Sequence, residues 1–172
     1  MNLPKRKSPR IPGYDYSTCN YYFITICTHH HRCIFGQPEM LNHWGTIVQE
    51  HILEIADHYD GVRVDKYIVM PNHIHLILVL ENEKNPDCNQ IIAQYKSGVS
   101  REIHRIEPDV TIWQRSYHDH IIRNYGEYEK IWLYIEDNPR KWEDDCFYIA
   151  ENEAERLREG QLSSGMIATG NH

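Results

Sequence analysis

The spacing of apolar residues predicts three strands and one long helix in the first half of the chain. The run YYFITICT over residues 21–28 is aromatic and β-branched, which is typical of a strand. Apolar residues recur at helical spacing over residues 42–59. The runs VRVDKYIVM and HIHLILVL follow, and the turn signal at Pro71 and Asn72 joins them into an antiparallel hairpin.

The second half of the chain predicts a helix, a short strand and a last helix. The first of these covers about residues 89–106, the strand lies within residues 113–124, and the last helix covers about residues 127–138 before Pro139. The order β-α-β-β-α-β with a further helix is that of the split βαβ, ferredoxin-like arrangement. The predicted fold class is therefore α+β, with one antiparallel sheet and helices packed on it.

Composition divides the chain into three parts. Residues 1–19 predict a basic extended arm, because this stretch is rich in proline and its first ten residues hold basic side chains but no acid. Residues 20–149 predict a single domain. Residues 150–172 are polar and charged, which predicts a disordered tail.

Bulk composition is that of a soluble globular protein, with 41% hydrophobic and 25% charged residues in a chain of 172. No apolar stretch approaches the roughly 20 residues of a membrane span, and the basic N-terminus lacks the apolar core of a secretory signal. The five cysteines include no CxxC pair, which favours a reducing cytoplasm over a disulfide framework. The net charge of -7 argues mildly against a nucleic-acid partner, although the basic arm weakens this argument.

Two histidines interrupt the apolar run VMPNHIHLIL. Strand positions i and i+2 point to one face, so His73 and His75 project together with Cβ atoms about 6–7 Å apart. Ile74 and Leu76 point to the opposite face, into the core. Two imidazoles in this arrangement can share one divalent metal. The alternative is a pair of inert histidines on a partly solvated sheet face.

The last helix offers a candidate third ligand. Its apolar stripe recurs at i, i+3, i+4 and i+7 and consists of Tyr128, Ile131, Trp132 and Ile135. Tyr134 lies about 110° from the centre of that stripe, at about 100° per residue. Asn138 follows at i+4 and shares its direction. A phenol and a carboxamide therefore leave the helix side by side, although a tyrosine at the core boundary and an asparagine at a helix end are ordinary alternatives.

These segments together resemble a known family. PNHIHLIL, followed about sixty residues later by YIEDNP, resembles the HUH single-tyrosine transposases, and most closely the REP-associated tyrosine transposases. YYFITICTHHHRCIFG resembles their first strand and loop, YKSGVSREI their central helix, and WQRSYHDHIIRN the strand before their tyrosine helix. The resemblance covers about residues 14–145. It implies a sheet whose HUH strand faces a C-terminal helix carrying the tyrosine.

The resemblance implies cleavage and joining of single-stranded DNA at a hairpin, through a 5′-phosphotyrosine intermediate. The family's nucleophile falls on Tyr134, and its ligands for Mg²⁺ or Mn²⁺ fall on His73, His75 and Asn138. The expected partner is hairpin or single-stranded DNA in the bacterial cytoplasm, at the nucleoid, with the protein a monomer or a homodimer. A DNA-hairpin binding protein that no longer cleaves, and an unrelated metalloenzyme with a water nucleophile, remain as alternatives.

Several polar residues are candidates for contacts with DNA. His120 and Arg123 precede the tyrosine helix and, by the resemblance, border the active site and contact phosphate. Lys96 and Arg101 lie partly on one helical face and could follow a phosphate backbone. Arg10, Tyr14 and Tyr16 in the arm could hold and stack on unpaired bases. A solvated helix face and a polar edge strand are the alternatives, and His118 with His120 is a second histidine pair at strand spacing.

Overall fold

A computed structural model describes residues 11, 13–82 and 86–149 of the chain. Within these ranges the chain forms six strands and four α-helices, which are, in order, β1 (Asn20–Cys27), β2 (Gly36–Gln37), β3 (Met40–Leu41), α1 (His43–Leu53), α2 (Ile55–His58), β4 (Val62–Val69), β5 (His73–Leu80), α3 (Cys88–Ile103), β6 (His118–Ile122) and α4 (Tyr125–Asp137). Two 3-10 helices, His29–His31 and Asn138–Asp144, flank this framework.

The main sheet has the strand order β4-β5-β1-β6, with every neighbouring pair antiparallel. This is the order of a split βαβ, ferredoxin-like sheet, so the predicted fold class is confirmed. The two short strands β2 and β3 form a separate hairpin. In the register of the main sheet, Thr25 of β1 lies opposite His75 of β5 on one side and His118 of β6 on the other.

Strand β5 lies inside the sheet and has both faces covered. Its even-numbered residues, from Ile74 to Leu80, belong to the main core beneath α1, α2 and α3. On the opposite face, Ile77 and Val79 pack with Ile135 of α4 in a smaller core. His73 and His75 share this second face by strand alternation. The two imidazoles therefore lie beneath the layer that carries Tyr134.

Helix α4 is set on the sheet by its caps and its apolar stripe. Asn124 caps its first turn by accepting a hydrogen bond from the Glu127 amide at 3.0 Å. The Glu127 carboxylate in turn accepts a hydrogen bond from the Arg123 amide at 2.8 Å. The helix packs along β4, β5 and β6. It ends at Asp137, just before Pro139, as the sequence predicts.

The structure differs from the sequence pattern in three places. The apolar spacing predicts one helix over residues 42–59, but the chain forms α1 and α2 with a break at Glu54. The fourth strand is shorter than its predicted range, and Trp113 instead forms an isolated bridge to Thr28. The last part of the predicted arm is not extended, since the backbone turns at residues 16–19, and Tyr16 packs in the main core.

The predicted arm and tail lie largely outside the described residues, and their boundaries stay predictions. Residues 1–10, residue 12 and residues 150–172 are not described. No helix in the described part of the chain is both long enough and apolar enough to span a membrane.

Candidate active site

The two histidines of β5 are buried side by side. His73 is 0% exposed and His75 is 1% exposed. Their Nε2 atoms are 3.0 Å apart. A polar pair this deep in a protein requires partners for every nitrogen, because an unsatisfied buried polar group costs about 1–3 kcal/mol.

A neighbouring side chain holds each imidazole at its Nδ1 atom. His73 Nδ1 lies 2.8 Å from Asn72 Oδ1, and His75 Nδ1 lies 2.8 Å from Thr25 Oγ1. The Asn72 amide group donates to the carbonyls of His31 and Phe147, so its oxygen is the atom that faces His73. His73 therefore donates through Nδ1 and keeps a lone pair on Nε2. Such a partner at the far nitrogen is the usual way to orient a metal-ligating histidine.

Burial keeps both imidazoles neutral. It lowers the pKa of His73 to about 3, with a further contribution from His31. It lowers the pKa of His75 to about 3 as well, where His73 adds to the effect and Asp145 opposes it. The neutral imidazole is the form that binds a metal ion, so both side chains are ready ligands at neutral pH.

Tyr134 projects from α4 onto the histidine pair. Its hydroxyl lies 3.3 Å from His75 Nε2 and donates a hydrogen bond to Asp145 Oδ2 at 3.2 Å. The ring packs edge-on against Phe23 and His75, and the side chain remains 42% exposed. Burial of the hydroxyl and the charge of Asp145 raise the pKa of Tyr134 to about 12. Because the side chain is partly exposed, a phosphate group can reach it from solution. Because its pKa is raised, the phenol is protonated at neutral pH.

Asn138 follows Tyr134 by one helical turn and is buried beside it, at 3% exposure. Its Nδ2 donates to Asp145 Oδ2 at 3.1 Å. Its Oδ1 is buried and has no hydrogen-bond partner among the described residues. Buried oxygens without partners are rare in native proteins, and a bound cation is one way to satisfy them.

Asp145 is part of this cluster although the sequence pattern does not single it out. It lies just after the 3-10 helix Asn138–Asp144, in the acid-rich run WEDDC, which shows no periodicity. One ligand atom from each of His73, His75 and Asp145 can be chosen so that all lie within 4.8 Å of one another. Thr25 and Asn72, which orient the imidazoles, are likewise absent from the predicted set. Asn72 directly precedes the histidines in sequence, and this adjacency is the only signal that points to it.

The residues present fit a divalent metal ion. Ligands at right angles around an ion at about 2.1 Å lie about 3.0 Å apart, and this is the geometry that Mg²⁺ requires. The two imidazole nitrogens are separated by that distance. The carboxylate of Asp145 adds an oxygen donor to the cluster. Asn138, whose Nδ2 bonds that carboxylate, has a buried oxygen without a partner among the described residues. Imidazole suits Zn²⁺, Fe²⁺, Ni²⁺ and Cu²⁺, and oxygen donors suit Mg²⁺ and Mn²⁺, so this mixed set fits a divalent ion without selecting one.

The aromatic residues predicted to hold DNA bases are placed against the core. Tyr16 is 4% exposed and its hydroxyl accepts a hydrogen bond from the Ile11 amide. Tyr14 packs on Tyr16 with ring centroids 5.0 Å apart. The structure therefore does not offer the Tyr16 ring to a base, because stacking would require it to leave the core. Arg10 lies outside the described residues.

The two α3 residues predicted to contact phosphate differ in their surroundings. The ammonium of Lys96 is half-buried and donates to the Gln114 carbonyl at 2.6 Å and to the Arg115 carbonyl. Lys96 thus ties α3 to the loop before β6. Arg101 is exposed and lines a cavity of about 310 Å³ beside His51. Helix α3 covers the core face of the sheet, so Arg101 and the histidine pair are on opposite sides of it.

His120 and Arg123 lie toward the start of α4, whereas Tyr134 lies near its end. His120 Nε2 is 2.7 Å from a carboxylate oxygen of Glu127. Arg123 is exposed and lines a cavity of about 490 Å³ with Tyr125. The residue of this segment nearest the site by register is instead His118, which lies across Thr25 from His75. Neither His118 nor His120 belongs to the His73 cluster.

Comparisons with known proteins agree with this fold. A family model described as "Transposase IS200 like" matches residues 15–138. An uncharacterised protein of Haemophilus influenzae is 32% identical over 168 residues; the match covers 84% of this chain and 93% of that protein.

Two solved structures share the fold. One is a REP-associated tyrosine transposase bound to a REP hairpin, with a TM-score of 0.60 and 21% identity over 82% of this chain and 74% of that one. The other is a candidate transposase from Deinococcus radiodurans, with a TM-score of 0.50 and 18% identity over 74% of this chain and 95% of that one. Since the family model spans most of the sequence, including the histidine pair and the tyrosine helix, the chain belongs to the IS200-like transposase family.

Proposed function

We propose that this protein is a metal-dependent nuclease and strand transferase that cleaves single-stranded DNA beside a hairpin. The observation that carries the proposal is the position of the Tyr134 hydroxyl, 3.3 Å from His75 Nε2 and at the edge of the paired imidazoles. A nucleophile beside two neutral, oriented imidazoles that can bind a metal ion is an arrangement suited to metal-assisted phosphoryl transfer by a tyrosine.

Three side chains would hold Mg²⁺ or Mn²⁺ in this site. His73 and His75 present their Nε2 atoms, and Asn138 presents the buried oxygen that has no partner in the described chain. The bound ion would polarise the scissile phosphate and offset the charge that develops on it. The Nδ1 contacts to Asn72 and Thr25 keep the two imidazoles pointed at a common centre.

The chemical step belongs to Tyr134. Its phenol oxygen attacks the phosphorus, the bond from phosphorus to the 3′ oxygen breaks, and the phenol proton replaces that bond so that a 3′ hydroxyl leaves. The product strand is linked to the enzyme as a 5′-phosphotyrosine. Because the new ester keeps the phosphodiester energy, the 3′ hydroxyl of another strand can reverse the step and join DNA. The ring contacts with Phe23 and His75 hold the phenol in place for both directions.

The proposed hairpin substrate rests on a structural neighbour. The transposase with the higher TM-score is bound to a REP hairpin, and its fold covers 82% of this chain. A hairpin of the REP type is therefore the first substrate to test. The hairpin stem would position the adjoining single strand, which is the part that must reach Tyr134.

The test uses a synthetic hairpin with single-stranded flanks, labelled with one dye at each end. The full-length protein is incubated with it in Mg²⁺, in Mn²⁺ and in a chelator, and covalent adducts are separated on denaturing gels. The wild type should form an adduct that retains the label 3′ of the cleaved bond, and only with metal. Tyr134→Phe should form none. Tyr125→Phe is the matched control, because Tyr125 is exposed on the same helix and outside the site.

The outcomes separate the candidate functions. Adduct formation by Tyr134→Phe at the wild-type rate would exclude the tyrosine mechanism. Tight hairpin binding by the wild type without any adduct would indicate a binding protein that no longer cleaves. Cleavage without an adduct would indicate a water nucleophile at the same metal.

A further inference from the structure

We propose that Asp145 is an additional, anionic ligand of the same metal ion, completing the site formed by His73, His75 and Asn138. This inference rests on the proposed function, because it assigns a role toward the metal of that site. The carboxylate lies eleven residues after the nucleophile, beyond the helix that carries it. It is therefore supplied by the segment that follows α4 and not by the sheet or the helix.

The carboxylate is aimed at the site by a local turn. Asp145 Oδ1 accepts a hydrogen bond from the Phe147 amide at 2.7 Å. The other oxygen, Oδ2, accepts from Tyr134 Oη at 3.2 Å and from Asn138 Nδ2 at 3.1 Å. Since one oxygen is held by its own backbone turn, the other is fixed at the point where the nucleophile and the buried carboxamide meet.

The turn that carries Asp145 is also attached to strand β5. The Phe147 carbonyl accepts a hydrogen bond from Asn72 Nδ2 at 2.7 Å, and Asn72 Oδ1 is the partner of His73. The Phe147 ring packs on the His73 ring with centroids 4.8 Å apart. One side chain, Asn72, therefore orients a histidine ligand and anchors the segment that brings in the carboxylate.

The chemistry of the cluster calls for an anion. The two imidazoles and the carboxamide are all neutral, and a divalent cation held only by neutral groups keeps its full charge in a buried site. Mg²⁺ and Mn²⁺ prefer oxygen ligands and are usually bound through at least one carboxylate. Asp145 supplies this charge at a position within 4.8 Å of the ligand atoms of both histidines. Asn138, whose Nδ2 bonds the same carboxylate, has a buried oxygen without a partner among the described residues, and this oxygen is available to a cation bound beside Asp145.

The experiment measures metal binding in the absence of DNA. Mn²⁺ is titrated into the full-length protein, and free ion is followed by its electron paramagnetic resonance signal and binding by calorimetry. Asp145→Asn keeps the shape of the side chain and an acceptor for the Phe147 amide, while it removes the charge. Asp144→Asn is the matched control, because Asp144 is the exposed neighbouring acid. We expect Asp145→Asn to weaken Mn²⁺ binding at least about tenfold and the control to change it less than about twofold.

A second variant separates a ligand from a residue that only positions others. Asp145→Cys places a thiolate at the proposed coordination point, and thiolates bind soft ions such as Cd²⁺. A thiolate-to-metal charge-transfer band should appear when Cd²⁺ is added to this variant. Asp144→Cys, which retains every native cysteine, should show no such band above the wild-type background.

The results distinguish failure of this inference from failure of the proposed function. If the wild type binds Mn²⁺ and Asp145→Asn binds it equally well, Asp145 is not a ligand, while the metal-dependent function stands. If the wild type binds no Mn²⁺ and forms no DNA adduct, both proposals are wrong. Weakened binding by Asp145→Asn with a wild-type unfolding midpoint in metal-free buffer, together with the Cd²⁺ band, would support the assignment.

Discussion

Strand β5 presents only aliphatic side chains to one helical layer and two histidines to the other, although both of its faces are buried. The face toward α1, α2 and α3 consists of Ile74, Leu76, Leu78 and Leu80. The face toward α4 begins with His73 and His75 and becomes aliphatic only at Ile77. The same strand therefore serves as core on one side and as the floor of the candidate active site on the other.

The difference shows what burial of polar groups demands. On the aliphatic face, stabilisation grows with apolar area, at roughly 25 cal/mol per Å², and no partner has to be found. On the histidine face, each Nδ1 atom has a dedicated partner, Asn72 or Thr25. Asn138 Oδ1 has no such partner among the described residues. A missing hydrogen bond of this kind lowers the stability of the fold, and a ligand that contacts the oxygen would restore that stability. Departures from apolar packing thus mark the site.

The largest effect should come from removing one histidine. His75→Ala deletes a proposed metal ligand and the contact to Tyr134, so we expect the rate of metal-dependent adduct formation to fall at least about 100-fold. The measurement is the rate of adduct formation on the hairpin substrate at saturating Mn²⁺. The matched variant is at Leu76, the adjacent residue on the opposite face of β5.

Leu76→Ala should instead lower stability and leave the site intact. Truncating a fully buried leucine costs about 2–5 kcal/mol of unfolding free energy, measurable by urea denaturation. Where the variant is folded, its Mn²⁺ affinity should equal that of the wild type. A loss of Mn²⁺ affinity comparable to that of His75→Ala would show that the two faces are not independent.

Stability should fall on acidification because the histidines are buried in neutral form. Both have a pKa lowered to about 3 in the folded protein from 6.5. Well above pH 6.5 neither state takes up protons at these residues, so their contribution to stability is complete. Below pH 6.5 the unfolded chain binds a proton at each of the two histidines and the folded chain does not. The free energy of unfolding therefore falls by up to about 1.4 kcal/mol per pH unit for each histidine.

Urea denaturation at pH 7.5, 6.5 and 5.5 in the presence of a chelator measures this loss. The double variant His73→Gln/His75→Gln removes both groups and should have a flatter profile over the same range. Equal slopes for the two proteins would mean that these imidazoles take up protons as readily in the folded state as in the unfolded chain. The metal should oppose the acid loss in the wild type, because it binds only the neutral imidazoles.

Much of the site follows from two periodicities. The period of two in β5 predicts that His73 and His75 share a face, and the period of 3.6 in α4 predicts that Tyr134 and Asn138 share a direction. The structure brings these four side chains together. The split βαβ order and the position of the last helix also follow from the pattern, because both depend on local apolar spacing and on Pro139.

The remaining parts depend on contacts between distant segments. Thr25 reaches His75 through the register of two strands, and this register is not visible in either strand alone. Asp145 reaches the site through a non-repeating turn after Pro139, where no spacing rule applies. Tyr16 lies in a proline-rich stretch that predicts an extended arm, yet its ring packs in the main core. In each case tertiary packing decides the outcome.

A smaller effect is expected from the partner of one imidazole. Thr25→Val removes the hydroxyl that lies 2.8 Å from His75 Nδ1 and preserves the shape of the side chain. The ring then loses its fixed orientation, and we expect Mn²⁺ affinity to fall about 10- to 100-fold. Thr28→Val is the matched control, since Thr28 is buried directly after the same strand and its hydroxyl donates to the Arg32 carbonyl. Equal losses of Mn²⁺ affinity in both variants would point to general destabilisation.

The smallest effect should come from a surface cation, and it tests which face of the sheet meets DNA. Arg140 is exposed two residues after Asn138, whereas Arg101 is exposed on α3, across the sheet from Tyr134. If the cleaved strand lies along the α4 side, Arg140→Ala should weaken binding of the labelled hairpin a few-fold and reduce its salt slope by about 0.7, the loss of one single-strand phosphate contact. Arg101→Ala should change the slope less, because its guanidinium is farther from the reacting phosphate. A larger loss from Arg101→Ala would place the DNA backbone along α3, and the aliphatic face of β5 would then lie beneath a DNA-binding layer while the histidine face carries only the chemistry.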